Sequence, residues 1–178
     1  ISVACIGPGG ERLVRYACII NDQRNAAGRS GLGAVMGSKK LKAVAVRGTR
    51  GPGVANKAKL IELSRWMAKN YPEKSLVCEF GTGTRMEDYE STGNLPINNF
   101  RGGHFPDVSR IAPQLMFEKK YVVHMDGCFG CPIRCKRRVG IDKPWKVPPI
   151  YGGPEYETLA AFGSNCGVNN LEAIIKAN

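Results

Sequence analysis

Gly48-Thr49-Arg50-Gly51-Pro52-Gly53 is the stretch on which the reading of the fold turns, because the chain changes texture across it. Three glycines and a proline within six residues let no regular element run through. On the N-terminal side, Ile1 to Ile6 and Leu13 to Ile20 are short runs of apolar and β-branched residues, parted by a Gly-Pro-Gly-Gly turn at residues 7–10. Leu41 to Val46 has the same character, and all three predict strands. Asn21 to Gly33 reads as a polar, glycine-bearing loop, with one apolar turn of helix over Leu32 to Met36. On the C-terminal side the period becomes helical. Leu60, Ile61, Leu63, Trp66 and Met67 predict a helix over Ala58 to Asn70 with a buried face. Thr84 and Glu87 have the spacing of a capping box. Ser109 to Met125 predicts another helix, with Pro113 tolerated near its first turn. Pro144 to Pro154 reads as a loop, Pro154 as an early residue of a helix running toward Asn165, and Asn170 as the cap of a last helix. The pattern predicts an α+β fold, with residues 1–51 the end of a β-sheet domain and residues 52–178 the start of a largely helical one.

With 178 residues and 43% hydrophobic content, the chain can bury one core, or one domain and part of another. It opens at Ile1 inside an apolar run and stops at Asn178 inside a helical pattern, which leads to the expectation of an internal piece of a larger protein. The formal net charge of +11 raises nucleic acid, membrane surfaces and acidic proteins as partners. No helix-turn-helix, zinc-finger or aromatic-plus-basic RNA signature is present, so nucleic acid is not expected. No run approaches the roughly 20 apolar residues of a membrane span, and the opening lacks the grammar of a signal peptide. Three of the seven cysteines crowd into one loop, which points to a reducing compartment and a cytoplasmic protein.

Cys128, Cys131 and Cys135 form C-x2-C-x3-C, with Pro132 after the second. Thiolates at this spacing on a tight turn suit an iron–sulfur cluster first and a zinc site second, and the order of spacings argues against a radical S-adenosylmethionine motif. A fourth ligand is needed. Cys5, Cys18, Cys78 and Cys166 lie in apolar sequence, where a buried free thiol is the ordinary expectation, so the fourth is expected from outside the chain. Lys136-Arg137-Arg138 reads either as a solvated basic turn or as charge that raises a cluster's potential and attracts an acidic electron carrier. Asn25 to Lys39, with glycines at 28, 31, 33 and 37 and with Arg29, Lys39 and Lys40, suits a phosphate cradle or a tight strand–helix turn. It lacks both the dinucleotide and the P-loop spacing. Glu155 and Glu157 read as helix-start acids or as proton carriers beside a metal.

Taken in order, Ile6-Gly-Pro-Gly-Gly-Glu11, Ala26-Ala-Gly-Arg-Ser-Gly-Leu-Gly-Ala-Val-Met-Gly-Ser-Lys39, Cys128 to Cys135 and Gly153-Pro-Glu-Tyr-Glu157 resemble the aldehyde ferredoxin oxidoreductase family. The resemblance implies two pterins holding tungsten, or molybdenum, beside a 4Fe-4S cluster, with Mg bridging the pterin phosphates. It implies oxidation of a small aldehyde to the acid, with electrons passed singly to ferredoxin. By the same resemblance, the β domain forms a base under the pterins. Asn25, Ala26, Gly28 and Arg29 fall on pterin-contacting positions, Asn25 replacing an arginine so that only a neutral hydrogen bond is left there. Cys128, Cys131 and Cys135 are the first three cluster ligands, and the fourth, like the remaining pterin motifs, lies downstream. Glu157 is implied as the proton-handling glutamate, and Glu155 as structural. Lys176 stands where the family places a glutamate on an iron between subunits, so that iron is not expected, while a homodimer stays open. Two other readings remain open: a cluster-bearing electron-transfer module without its own catalytic metal, and a family member acting on another substrate such as an aromatic acyl-CoA.

Overall fold

The computed structural model describes residues 1–71 and 75–178 and divides into two units, Ile1–Ala55 and Asn56–Asn178. The first unit is a four-stranded antiparallel sheet in the order β3-β2-β1-β4. Its strands are β1 (Ser2–Ile6), β2 (Ile19–Asn21), β3 (Asn25–Ala27) and β4 (Ala43–Val46). β1 lies between β2 and β4, pairing Ala4 with both Asn21 and Val44. Asp22 and Gln23, both at positive φ, turn β2 into β3, and an Asp22 carboxylate oxygen accepts the Val3 amide at 2.8 Å.

Two of the sequence expectations change here. The Gly-Pro-Gly-Gly turn is a short helix, α1 (Pro8–Glu11), with Pro8 at its first position, where a missing N–H costs nothing. The expected strand from Leu13 therefore begins only at Ile19. Leu13 sits at positive φ, and the Val14 and Ala17 amides close turns onto the Gly9 and Val14 carbonyls. The second change is β3, an edge strand within the segment read as loop. The helix expected over Leu32 to Met36 is α2 (Leu32–Ser38), which lies almost backbone to backbone against α1. A Cβ at Gly37 would stand 2.0 Å from the Gly10 carbonyl oxygen. Ile6, Ala17 and Met36 are buried in this unit.

The second unit begins with α3 (Lys57–Asn70), capped by the Asn56 side chain accepting the Lys59 amide. The helix is where the spacing predicts it, but none of its residues is buried and Trp66 is 55% exposed, so the expected buried face is not covered. After α4 (Leu76–Phe80), helix α5 (Met86–Ser91) starts two residues beyond Thr84. Its N-cap is Arg85, so the expected capping box does not form. The helix expected over Ser109 to Met125 divides into a 3-10 turn (Val108–Arg110), α6 (Pro113–Glu118) and strand β5 (Val122–Asp126). Lys120 at positive φ ends α6 with the Tyr121 amide returning to the Met116 carbonyl, and the β-branched Val122 and Val123 continue as strand. β5 pairs antiparallel with β6 (Lys136–Val139).

The loop over Pro144 to Pro154 is present and holds a 3-10 turn at Pro149–Tyr151. Pro154 lies just before the helix rather than within it. The N-cap is Glu155, and α7 (Tyr156–Thr158) runs on through a π turn (Leu159–Gly163) and a 3-10 turn (Ser164–Cys166). In α8 (Leu171–Ala177), Asn170 accepts the Ala173 amide as expected. Met86, Ile97, Ile111, Met116, Val139, Leu159 and Ile174 are the most deeply buried of the cluster around which these elements pack. The architecture is α+β.

Candidate functional site

The three spaced cysteines occupy the turn of the β5–β6 hairpin. Asp126 pairs with Lys136 at its base, and residues 127–135 close the loop. The loop is braced from within. The Gly127 amide is held by Asp126 Oδ1 at 3.0 Å, Arg134 donates to the Met125 carbonyl at 3.1 Å, and the Cys131 amide donates to the Cys128 carbonyl at 3.1 Å. Positive φ at Gly130 and Arg134 turns the chain twice within it. Cys128 is exposed, Cys131 and Cys135 are half-buried, and all seven cysteines are free thiols. Burial pushes the Cys135 thiol up, and the Glu155 carboxylate, then Cys131 and Cys128, push it further. Three thiolates here repel one another and call for positive charge among them. Among the described residues no three His, Cys, Asp or Glu side chains are gathered so as to hold one metal ion. A cubane accepts each thiolate on a different iron, so the donor set fits a cluster better than a single ion.

The basic run after Cys135 is not a solvated turn. In β6 its members alternate, and Arg137 shares the inward face with Val139. Arg137 is 1% exposed, and its guanidinium donates to the Pro154, Phe80 and Thr82 carbonyls. Burial lowers its pKa to about 10, while Glu155 and Cys135 favour the charged form. Arg138 forms a 2.7 Å ion pair with Asp126. Arg137 therefore presents no exposed donor for an acidic carrier to contact. Of the remaining cysteines, Cys5, Cys18 and Cys78 are half-buried and Cys166 is exposed rather than buried, its thiol donating to the Ala161 carbonyl.

Glu157 lies in the first turn of α7 and lines a groove of about 380 Å³ together with Val77, Thr82, Gly83, Tyr89 and Tyr156. The Tyr89 and Tyr156 rings meet edge to face at 5.5 Å. Burial raises the Tyr156 phenol pKa, and Tyr89 and Glu157 raise it further. Glu155 turns the other way: its Oε2 accepts the Thr82 hydroxyl at 2.5 Å. The two carboxylates are thus divided between a hydrogen bond inside the unit and an open rim.

In the sheet unit, Asn25 and Ala26 belong to edge strand β3, which pairs with β2 on one side only, and Gly28 and Arg29 follow it. Ala26, Gly28 and Arg29 are exposed and Asn25 is half-buried. Gly31 at φ 64 then starts α2, and a Cβ there would stand 2.0 Å from the Arg15 carbonyl oxygen. An unpaired strand edge, exposed glycine backbone and an exposed arginine suit a flat anionic ligand.

Sequence reasoning missed the Arg137 fork, the Thr82 hydroxyl and the Tyr89–Tyr156 pair. A period-two reading of Cys135 to Val139 would have found the first, because it puts Arg137 on the face of Val139.

The profile described as "Aldehyde ferredoxin oxidoreductase, domains 2 & 3" matches residues 59–178, and that described as "Aldehyde ferredoxin oxidoreductase, N-terminal domain" matches residues 1–48. Among curated relatives, the tungsten-containing aldehyde ferredoxin oxidoreductase of Pyrococcus furiosus is 37% identical over 182 residues, covering 100% of this chain and 29% of the relative. That of Thermococcus kodakarensis is 38% identical over 184 residues, with the same coverage. The chain therefore spans about three-tenths of the length of the relatives it matches. Among solved structures, the active-site complex BamBC of benzoyl coenzyme A reductase with 1,5-dienoyl-CoA is similar with a TM-score of 0.72 at 25% identity. That match covers 99% of this chain and 28% of the other. With both profiles matched, in the order in which the two structural units follow one another, the chain belongs to the aldehyde ferredoxin oxidoreductase family.

Proposed function

We propose that this chain is the part of a tungsten- or molybdenum-bis-pterin oxidoreductase that supplies three ligands of a 4Fe-4S cluster, one wall of the pterin site and the proton-handling carboxylate. Residues 1–51 serve as the pterin base, and residues 52–178 begin the helical domain. The reaction is an aldehyde plus water giving a carboxylic acid, two protons and two electrons, the electrons leaving singly for ferredoxin. The observation that carries the reading is the cysteine hairpin, which presents three unpaired thiols on one braced loop in a chain of this family.

Cys128, Cys131 and Cys135 would hold the cluster, and Asn25, Ala26, Gly28 and Arg29 would hold the pterin and its phosphate. The metal centre, when bound, supplies the two-electron oxidation. Arg29 supplies charge for a phosphate, and the half-buried Asn25 supplies hydrogen-bonding capacity without charge. Glu157, on the open rim of its groove, accepts a proton as the aldehyde and water become acid. The Tyr89–Tyr156 edge gives the groove an apolar wall that excludes water from one side of the substrate.

A second reading, reduction of an aromatic acyl-CoA, is favoured by the similarity to the benzoyl coenzyme A reductase complex and by this tyrosine pair. The test is metal and sulfide analysis of the full-length protein purified without oxygen, followed by assay with aldehydes and with aromatic acyl-CoA. About four iron and four sulfide per chain with tungsten or molybdenum are expected. Cys131→Ser is expected to lose the cluster signal and keep the pterin. Zinc alone in the wild type would overturn the reading, and iron and sulfide in a protein shown never to take up a heavy metal would leave an electron-transfer module.

A further inference from the structure

Among the described residues, Arg137 is the one charged side chain that is fully buried, and the site as proposed gives it no role. Its backbone lies two residues past Cys135. Its fork reaches two segments distant in sequence: the Phe80–Thr82 turn, which walls the groove, and the Pro154 turn, which leads into Glu155 and Glu157. Gly81 makes room for the fork, and Gly153 lets the Pro154 turn approach the backbone of β6. A Cβ at Gly81, which sits at φ 80, would stand 2.3 Å from Arg137 Nη1 and 2.6 Å from the Cys135 carbonyl oxygen. One at Gly153 would stand 2.4 Å from Val139 Cγ2 and 3.1 Å from the Arg137 carbonyl oxygen.

Every partner of the fork is a neutral carbonyl, and among the described residues no carboxylate forms an ion pair with Arg137. An apolar side chain at this position would spare the desolvation of a guanidinium but would leave the three carbonyls without their donor, and the Glu155 carboxylate favours the charge, so the fork retains a positive charge two residues from Cys135.

We propose that Arg137 is the positioning residue that couples the cysteine hairpin to the Glu157 groove. Its fork fixes the groove wall and the Pro154 turn against Cys135, and its buried charge favours the reduced, more negative state of the cluster that the three thiols hold. Arg137 stays protonated in this role and exchanges no proton. The proposal rests on the cluster assignment made above.

The test uses the full-length holoenzyme with Arg137→Lys, which keeps the charge and loses the fork, and Arg137→Met, which loses both. Iron and sulfide content, the reduced-cluster EPR spectrum, the cluster midpoint potential, kcat and KM are read in parallel. Arg137→Met is expected to retain iron, lower the midpoint potential and alter the EPR spectrum. Arg137→Lys is expected to hold the midpoint near wild type while kcat falls at least tenfold and KM changes little.

A fully iron-loaded Arg137→Met protein with wild-type midpoint and spectrum overturns the proposal. If that variant does not accumulate, Arg137→Lys with wild-type kcat overturns it, and a tenfold loss of kcat in Arg137→Lys with intact iron and midpoint upholds it. Absence of iron from the wild type would instead be a failure of the cluster assignment, which separates the two.

Discussion

The hydroxyl of Thr82 donates to Glu155 Oε2 at 2.5 Å, and the Thr82 hydroxyl oxygen itself accepts the Tyr156 amide at 3.0 Å. A side chain 74 residues away in sequence thus satisfies the first free amide of α7, a task that the N-cap residue Glu155 leaves undone. Thr82→Val keeps the shape and removes both bonds. It is expected to lower stability by about 1–2 kcal/mol, seen as a lower denaturant midpoint at unchanged slope, with Thr82→Ser recovering most of the loss. A wild-type midpoint in Thr82→Val would show that water replaces the hydroxyl without cost.

Glu157→Gln preserves size and hydrogen bonding at the groove rim while removing the proposed proton acceptor. A fall in kcat of about 10²–10⁴ is expected in the full-length enzyme, with iron and heavy-metal content unchanged. Glu155→Gln, whose carboxylate is held by Thr82, should act on stability instead. If the two variants exchanged these effects, the division of roles between the carboxylates would be reversed.

The Glu90 carboxylate accepts the Phe105 amide at 3.0 Å and lies against the His104 ring. The Phe105 bond lowers its pKa most, burial opposes it, and His104 adds a further lowering. A carboxyl whose folded pKa lies below its unfolded value stabilises fully above the unfolded value, and that contribution fades as pH falls through the folded one. Glu90→Gln is therefore expected to flatten the acid side of a plot of Tm against pH and to leave its shape near neutrality unchanged. An unaltered acid limb would show that the bond to Phe105 carries no linkage.

Gly37 leaves no room for a side chain, since an added Cβ would stand 2.0 Å from the Gly10 carbonyl oxygen. Gly37→Ala is expected to cost about 1–3 kcal/mol by forcing α1 and α2 apart. Gly48, with open space around the added Cβ, is the control, and Gly48→Ala should stay within about 0.5 kcal/mol of wild type. Equal thermal midpoints for the two would contradict the close approach of the helices.

The sequence shows best what is local. The cysteine spacing, Asn170 as a cap, the helix from Lys57 and the change of texture near Gly48–Gly53 depend on neighbours a few residues apart. Of the two readings of the basic run, the solvated turn fails for Arg137 because its surroundings come from residues 80–82 and 154, which composition alone does not show. The Ser109–Met125 helix failed for the opposite reason. Its apolar periodicity is real, but Lys120 at positive φ ends the helix and hands the valines to a strand. The exposed apolar side of α3 shows the limit of periodicity, which identifies the helix and one face of it but not what covers that face.

The hairpin that carries the cysteines also sets an order of events in the making of the protein. Two strands joined by one short loop close in about 1–10 μs, whereas Arg137 must wait for segments more than 50 residues upstream. The thiols are therefore presented together before the guanidinium is seated on its three carbonyls. On the cluster assignment proposed above, cluster delivery has its easiest access to this loop early, while oxidants meet the exposed Cys128. On that assignment, exclusion of oxygen matters most while the chain is still folding, before Arg137 is seated.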